Sequence, residues 1–175
     1  RESLERGRPL RAGDLATEDL RELKTAGLLS GKPVLWVANT GGGASEAAVE
    51  VLRRHEPEAP LVALDAELEL ELAELPPEER AEFLRELEIE ETGLARLVRA
   101  SFDLLGLVTF YTVDKNKLHA WEIPRGTPAA AAAGKVHSDM EKGFIRAKVV
   151  AADELIELGG DLHQIQHLGR QRTIG

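Results

Sequence analysis

Apolar residues in the first part of the chain come in short unbroken runs, and further on they alternate with polar ones. Lys32-Pro33-Val34-Leu35-Trp36-Val37-Ala38 is a β-branched run bounded by Gly31 and by Asn39-Thr40-Gly41-Gly42-Gly43. It predicts a strand buried on both faces of a parallel sheet. Ala44 to Arg54 follows with Ala47, Ala48, Val49 and Leu52 on one helical side, and Pro60 to Leu64 is a second buried run. Strand, helix and strand make a βαβ unit, whose ligands bind off the carboxyl ends of the strands. Those ends are Asn39-Thr40-Gly41 and Leu64-Asp65-Ala66-Glu67.

Upstream, Ala16 to Leu28 reads as a helix with Thr17 as N-cap, Leu20, Leu23 and Leu28 on one side, and Gly27 near its end. Downstream, Glu67, Glu69, Glu71 and Glu74 alternate with Leu68, Leu70, Leu72 and Leu75. That period suits a strand, but Glu and Leu favour helix and Pro76-Pro77 ends the segment, so a helix is expected. A second helix starts at Pro77 with Phe83, Leu84 and Leu87 inward. Thr92 then caps a third, striped by Leu94, Leu97, Val98, Phe102 and Leu105. Leu107 to Val113 and Leu118 to Ile123 are strands joined by a hairpin turn at residues 114–117.

Trp121 to Ala151 reads as strand, helix, turn and strand. Pro124-Arg125-Gly126 is a turn, Thr127 an N-cap with Pro128 at the first helical position, and five alanines carry a helix closed by a left-handed Gly134. Ser138 to Glu141 has capping-box spacing before Gly143, and Phe144 to Val149 alternates as a half-buried strand. A short helix, Asp153 to Leu158, closes at Gly159-Gly160. Asp161 to Gly175 lacks the alternation and length for two strands.

Charge divides the 175 residues. The net charge is −9, but residues 1–103 carry 13 Lys/Arg against 23 Asp/Glu, while residues 104–175 carry nine against eight. The acidic part is a poor nucleic-acid surface, and no DNA partner is indicated. No apolar run approaches the ~18–20 residues of a membrane span. The lack of cysteine removes disulfides and cysteine metal sites and fits a cytoplasmic location.

Candidate chemistry is sparse. Residues 65–91 hold twelve Asp/Glu against Arg80 and Arg85, but no Gly-punctuated calcium loop accompanies them. His163 and His167 are four apart with Gln164 where a metalloprotease needs Glu. His137-Ser138-Asp139 lacks a nucleophile elbow, so no metal or catalytic residue is assigned. A phosphate loop requires G-x-x-x-x-G-K-[ST] before a helix. Gly27 to Pro33 has one residue too few, Pro33 in the hydroxyl position and a strand after it, and Gly134-Lys135-Val136 lacks Ser or Thr. The chain by itself is therefore not expected to hydrolyse nucleotide.

Three strings carry a resemblance: L-L-G-L-V-T-F-Y-T at 104–112, A-W-E-I-P-R-G-T at 120–127 and G-K-V-H-S-D-M-E-K-G-F-I-R-A at 134–147. They resemble the TGS domain, a β-grasp module, as found in YchF-type ATPases, relatives of the Obg GTPases. Lower-density likeness continues through K-P-V-L-W-V-A-N at 32–39 and E-L-P-P-E-E-R-A-E-F-L at 74–84, and is expected to stop after Gly160. The fold class implied is α/β: residues 1–30 a remnant of a helical insertion, 31–103 the second half of a Ras-like P-loop NTPase domain, 104–160 an incomplete TGS β-grasp module, and 161–175 a divergent tail.

The resemblance implies ATP or GTP with Mg2+ as the family's cofactor, and an Asn at the purine edge. That Asn is Asn39, with Thr40, Asp65 and Ala66 completing the nucleotide-binding loops. The family's Asn-x-x-Glu has Gly42 in the Glu position, and its Ser-Ala-Lys is Asp65-Ala66-Glu67. The family also implies a ribosome or RNA partner, to which Lys142, Arg146 and Lys148 would supply phosphate contacts. Arg146 and Lys148 should share one strand face. The expected function is that of a fragment of a YchF-type ribosome-associated protein, retaining the base loop and the TGS module but not the hydrolytic site. The alternative is a TGS adaptor that binds RNA or protein without nucleotide. With no initiating Met and an unmatched end, a gene fragment with a shifted final reading frame is expected.

Overall fold

The computed structural model describes residues 2–12, 16–41, 46–114 and 117–175, which form two compact units, 1–106 and 107–175. In the first, α1 (Glu2–Glu5) and α2 (Thr17–Ala26) precede β1 (Trp36–Asn39), α3 (Glu46–His55) and β2 (Leu61–Leu64). Thr17 is the first residue of α2, and Gly27 follows at φ +67°, the left-handed conformation a glycine adopts without strain. β1 and β2 pair in parallel, from Trp36 opposite Leu61 to Asn39 opposite Leu64. This is the expected βαβ arrangement. The expected double-sided burial of β1 is not found, because Val37 is 45% exposed in a sheet of two strands. Only β2 is deeply covered, through Val62. Ala44, where α3 was expected to begin, lies outside the described residues; Val49 and Leu52 are half-buried and Ala47 is exposed.

The Glu/Leu run is α4 (Ala66–Glu74), followed by α5 (Pro77–Glu86) and α6 (Gly93–Leu105). Helix propensity outweighs the period-two pattern because Leu72 then turns inward to full burial, while Leu70 stays exposed. Phe83 and Leu84 are half-buried as expected, but Leu87 falls in the C-cap of α5 and is exposed. In α6, Leu97 and Phe102 are half-buried, whereas Leu94, Val98 and Leu105 are at least half exposed, so the stripe is covered along only one edge. That edge faces β2, where Arg96 Nη2 donates to the Ala63 carbonyl at 2.8 Å. Thr92 caps α6 as expected, its hydroxyl oxygen accepting from Ala95 N at 3.1 Å. Gly106 ends the helix at φ +63°.

The second unit opens with the antiparallel hairpin β3 (Leu107–Asp114) and β4 (Lys117–Pro124). The middle of its expected turn, Lys115 and Asn116, lies outside the described residues. Trp121 is half-buried and its indole N–H donates to Thr112 Oγ1 at 3.0 Å. Then come α7 (Ala129–Val136), α8 (Ser138–Lys142), β5 (Ala147–Val149), α9 (Ala152–Glu157), α10 (Leu162–His167) and β6 (Arg172–Ile174).

Several local expectations are corrected here. Pro128, not Thr127, is the N-cap of α7; the Thr127 hydroxyl donates instead to the Pro124 carbonyl at 2.6 Å, closing the turn. Gly134 lies inside α7 and does not terminate it. A Cβ there would fall 2.8 Å from Cδ of Glu141, whose side chain crosses from α8, so glycine is present for close approach. The cap of α8 is His137, whose Nδ1 accepts from Asp139 N at 3.2 Å, not the Ser138 hydroxyl. The strand expected from Phe144 begins only at Ala147, and Ile145 is 83% exposed. The final segment supplies a strand after all: β6 pairs antiparallel with β5, Lys148 opposite Thr173. Ile165 of α10 is fully buried.

Candidate functional site

The carboxyl ends of β1 and β2 are tied together by one side chain. Asn39 Oδ1 accepts from Gly41 N within its own loop and from Ala66 N at the start of α4, both at 3.2 Å. Parallel pairing makes this possible, since it brings both strand ends to one edge with Asn39 opposite Leu64. Thr40 adds two bonds to the same neighbour, its amide donating to the Leu64 carbonyl at 2.8 Å and its hydroxyl at 3.1 Å. The four residues named from sequence at these loops, Asn39, Thr40, Asp65 and Ala66, are thus neighbours in space. Gly42 lies outside the described residues.

Asp65 has a local task. Its Oδ1 caps α4 by accepting from Glu67 N at 3.0 Å and Leu68 N at 3.2 Å. The carboxylate also occupies the space beside Gly41, where an added Cβ would lie 2.6 Å from Oδ1 and 3.3 Å from Oδ2. Gly41 is therefore more than turn punctuation: only glycine lets the Asp65 side chain lie across the Asn39 loop. Asn39 is exposed, and with Oδ1 held by two amides its Nδ2 projects away from them, making no hydrogen bond among the described residues.

Below the loop sits a support that the sequence does not announce. Glu69, one turn into α4, reaches the N-terminus of α6, where Oε1 accepts from Gly93 N at 2.6 Å and Oε2 from Leu94 N at 3.0 Å. These are donors that no intrahelical carbonyl can serve. Gly93 is buried, and a Cβ there would meet Leu64 Cβ at 2.5 Å. The clamp thus fixes α6 against the strand residue next to Asp65. An Asp after a strand and before a helix is a readable N-cap signal. A Glu that caps another helix 24 residues away is not.

The three cations named in the second unit are exposed: Lys142 ends α8, Arg146 precedes β5 and Lys148 lies within it. Arg146 lies one residue before β5, outside its paired residues, and Lys148 lies opposite Thr173. His163 and His167 are exposed, and no group of three or more His, Asp or Glu set to hold a metal ion occurs among the described residues. In the first unit a cavity of about 600 Å³, bounded by Arg11, Pro33, His55, Pro57, Pro60 and Leu104, lies where the two strands begin, at the opposite end from Asn39. Among the described residues no helix is long and apolar enough to cross a membrane.

Comparison with known proteins shows what this chain is similar to. Residues 107–175 match the model of the YchF-GTPase_C family, described as a protein of unknown function, DUF933. The likeness therefore runs through the segment after Gly160, where the sequence strings alone had suggested that it stops. The chain is 36% identical over 183 aligned residues to the ribosome-binding ATPase YchF of Bacillus subtilis, covering 100% of the chain and 50% of that protein. It is 37% identical over 176 residues to the protein of the same name from Escherichia coli O157:H7, covering 98% and 48%. The chain spans about half the length of the curated relatives it matches. Among solved structures it resembles the YchF GTPase of Schizosaccharomyces pombe, with a TM-score of 0.77 at 22% identity over 98% of this chain and 47% of that one. The family model and the curated relatives that this chain matches all bear the YchF name, and the solved YchF structure that it resembles shares its fold.

Proposed function

We propose that this chain carries the base-recognition loop and the binding module of a YchF-type, ribosome-associated ATPase. In this reading residues 31–103 are the second half of a Ras-like nucleotide-binding domain, with Asn39, Thr40, Asp65 and Ala66 around the base. Residues 104–160 are a TGS-type β-grasp module, and Lys142, Arg146 and Lys148 are its contacts to ribosomal RNA phosphates. The cytoplasm is the location that a ribosomal partner requires. The observation that carries the reading is the tether of Asn39 Oδ1 to Ala66 N, which holds two loops from separate strands around an amide whose Nδ2 makes no hydrogen bond among the described residues. A held donor costs little ordering entropy when a ligand arrives.

Asn39 and Asp65 offer a purine base a donor and an acceptor. Phosphate and Mg2+ chemistry is not assigned to them, because the sequence holds no G-x-x-x-x-G-K-[ST] loop. Binding of ATP should shift the backbone amide resonances of Gly41 and Ala66 in a heteronuclear titration, and Asn39→Ala should abolish those shifts. If millimolar ATP and GTP leave both amides unmoved in the parent chain, the reading is wrong. The second reading, a TGS adaptor that never engages nucleotide, draws on the fact that Asn39 and Asp65 already have structural partners within the loops.

A further inference from the structure

We infer that Asp65 makes this loop select adenine over guanine, its Oδ2 accepting from the 6-amino group while Asn39 Nδ2 donates to the adjacent ring nitrogen; this rests on the base-recognition reading above. Two bonds fix the orientation of Asn39, because both the Gly41 and the Ala66 amides point at Oδ1. The amide therefore offers only a donor outward. Asp65 has the complementary arrangement. Oδ1 is taken by the amides of Glu67 and Leu68, and Oδ2 makes no hydrogen bond among the described residues.

Both side chains converge on Gly41. Asn39 accepts from its amide, and the Asp65 carboxylate lies where its Cβ would be, with Oδ2 3.3 Å from that point. The Asn39 amide, with a donor to offer, and the Asp65 carboxylate, with an acceptor to offer, thus both neighbour Gly41. The edge of adenine that carries N7 and the 6-amino group presents an acceptor beside a donor, whereas the same edge of guanine presents two acceptors, N7 and O6. Adenine satisfies both protein groups. Guanine would set O6 against a carboxylate and leave both unpaired. The selecting acceptor would then come from the second strand end, while position 42, a glycine, has no side-chain acceptor to offer.

The test is equilibrium binding of ATP, GTP and ITP to the purified chain, by calorimetry, for the parent, Asp65→Asn, Asp65→Ser and Asn39→Ala. Asn and Ser are both good N-caps, so α4 should persist in either variant, checked by helical circular dichroism. The parent should bind ATP about tenfold or more tightly than GTP or ITP, as expected for one discriminating hydrogen-bond pair. Asp65→Asn and Asp65→Ser should bring the three nucleotides to within about twofold of one another. An unchanged ATP-to-GTP ratio in both variants, or no preference in the parent, overturns the role of Asp65. If Asn39→Ala abolishes binding in that case, base recognition survives alone. Failure of the parent to bind any of the three overturns base recognition, and the role of Asp65 with it.

Discussion

Replacing Glu69 with Ala should lower the stability of the first unit by about 2 kcal/mol. The carboxylate holds the amides of Gly93 and Leu94 at 2.6 and 3.0 Å, two donors in the first turn of α6 that have no carbonyl within the helix. A hydrogen bond to a charged acceptor contributes about 1.5–3 kcal/mol, and a lost helix cap costs about 1 kcal/mol. The two bonds will not simply add. Leu94 is 52% exposed, so water can replace the acceptor at its amide. Gly93 is buried, and a Cβ there would lie 2.5 Å from Leu64 Cβ, so little room exists to rehydrate its amide. Thr92 still caps Ala95 N, which limits the loss.

The assay is urea unfolding followed by Trp36 fluorescence in a Trp121→Phe background, so that only the first unit reports. With a slope of about 2 kcal/mol per molar, the midpoint should fall by roughly 1 M. Glu69→Gln keeps an acceptor but loses the charge and should fall by about half as much. A midpoint for Glu69→Ala within about 0.2 M of the parent would mean that the clamp does not hold α6 in solution.

Two further outcomes probe the second unit, where Trp121 fluorescence reports. Ile165→Ala removes a fully buried side chain and should cost about 2–5 kcal/mol; a loss below about 1 kcal/mol would show that α10 is not packed in solution. Gly134→Ala should fail to stabilise α7 despite the better helix propensity of Ala, because its methyl meets Glu141 from α8. In a Glu141→Gly background, which also removes the Glu141 Cβ 3.0 Å from that methyl, the same change should become favourable by about 1 kcal/mol, so a double-mutant cycle should give a coupling of that order, and additivity would disprove the contact.

Part of the site was legible in the sequence. Asn39 and Ala66 were found because short β-branched runs ending in polar residues mark strand ends, and a βαβ unit brings such ends to one edge. What the spacing could not give is how the side chains are used. Asp65 reads equally well as a loop carboxylate near a base and as the cap that it is, and Gly41 reads as a turn until the carboxylate is seen lying across it. Glu69 gave no signal, since its partners are backbone amides of another helix and amides carry no sequence identity.

The sequence by itself determined the local elements: two parallel strands around a helix, three helices punctuated by Pro76-Pro77 and Thr92, and a hairpin from Leu107 to Pro124. These depend on periodicity, proline, glycine and capping chemistry, which act over a few residues. The tertiary structure decided the rest. It placed Gly134 under Glu141, made His137 a cap and paired β5 with β6, a strand too short and too polar to read as one alone. Those outcomes depend on which groups distant chain segments bring within hydrogen-bonding or van der Waals reach, and a three-residue strand exists only where a partner supplies its ladder.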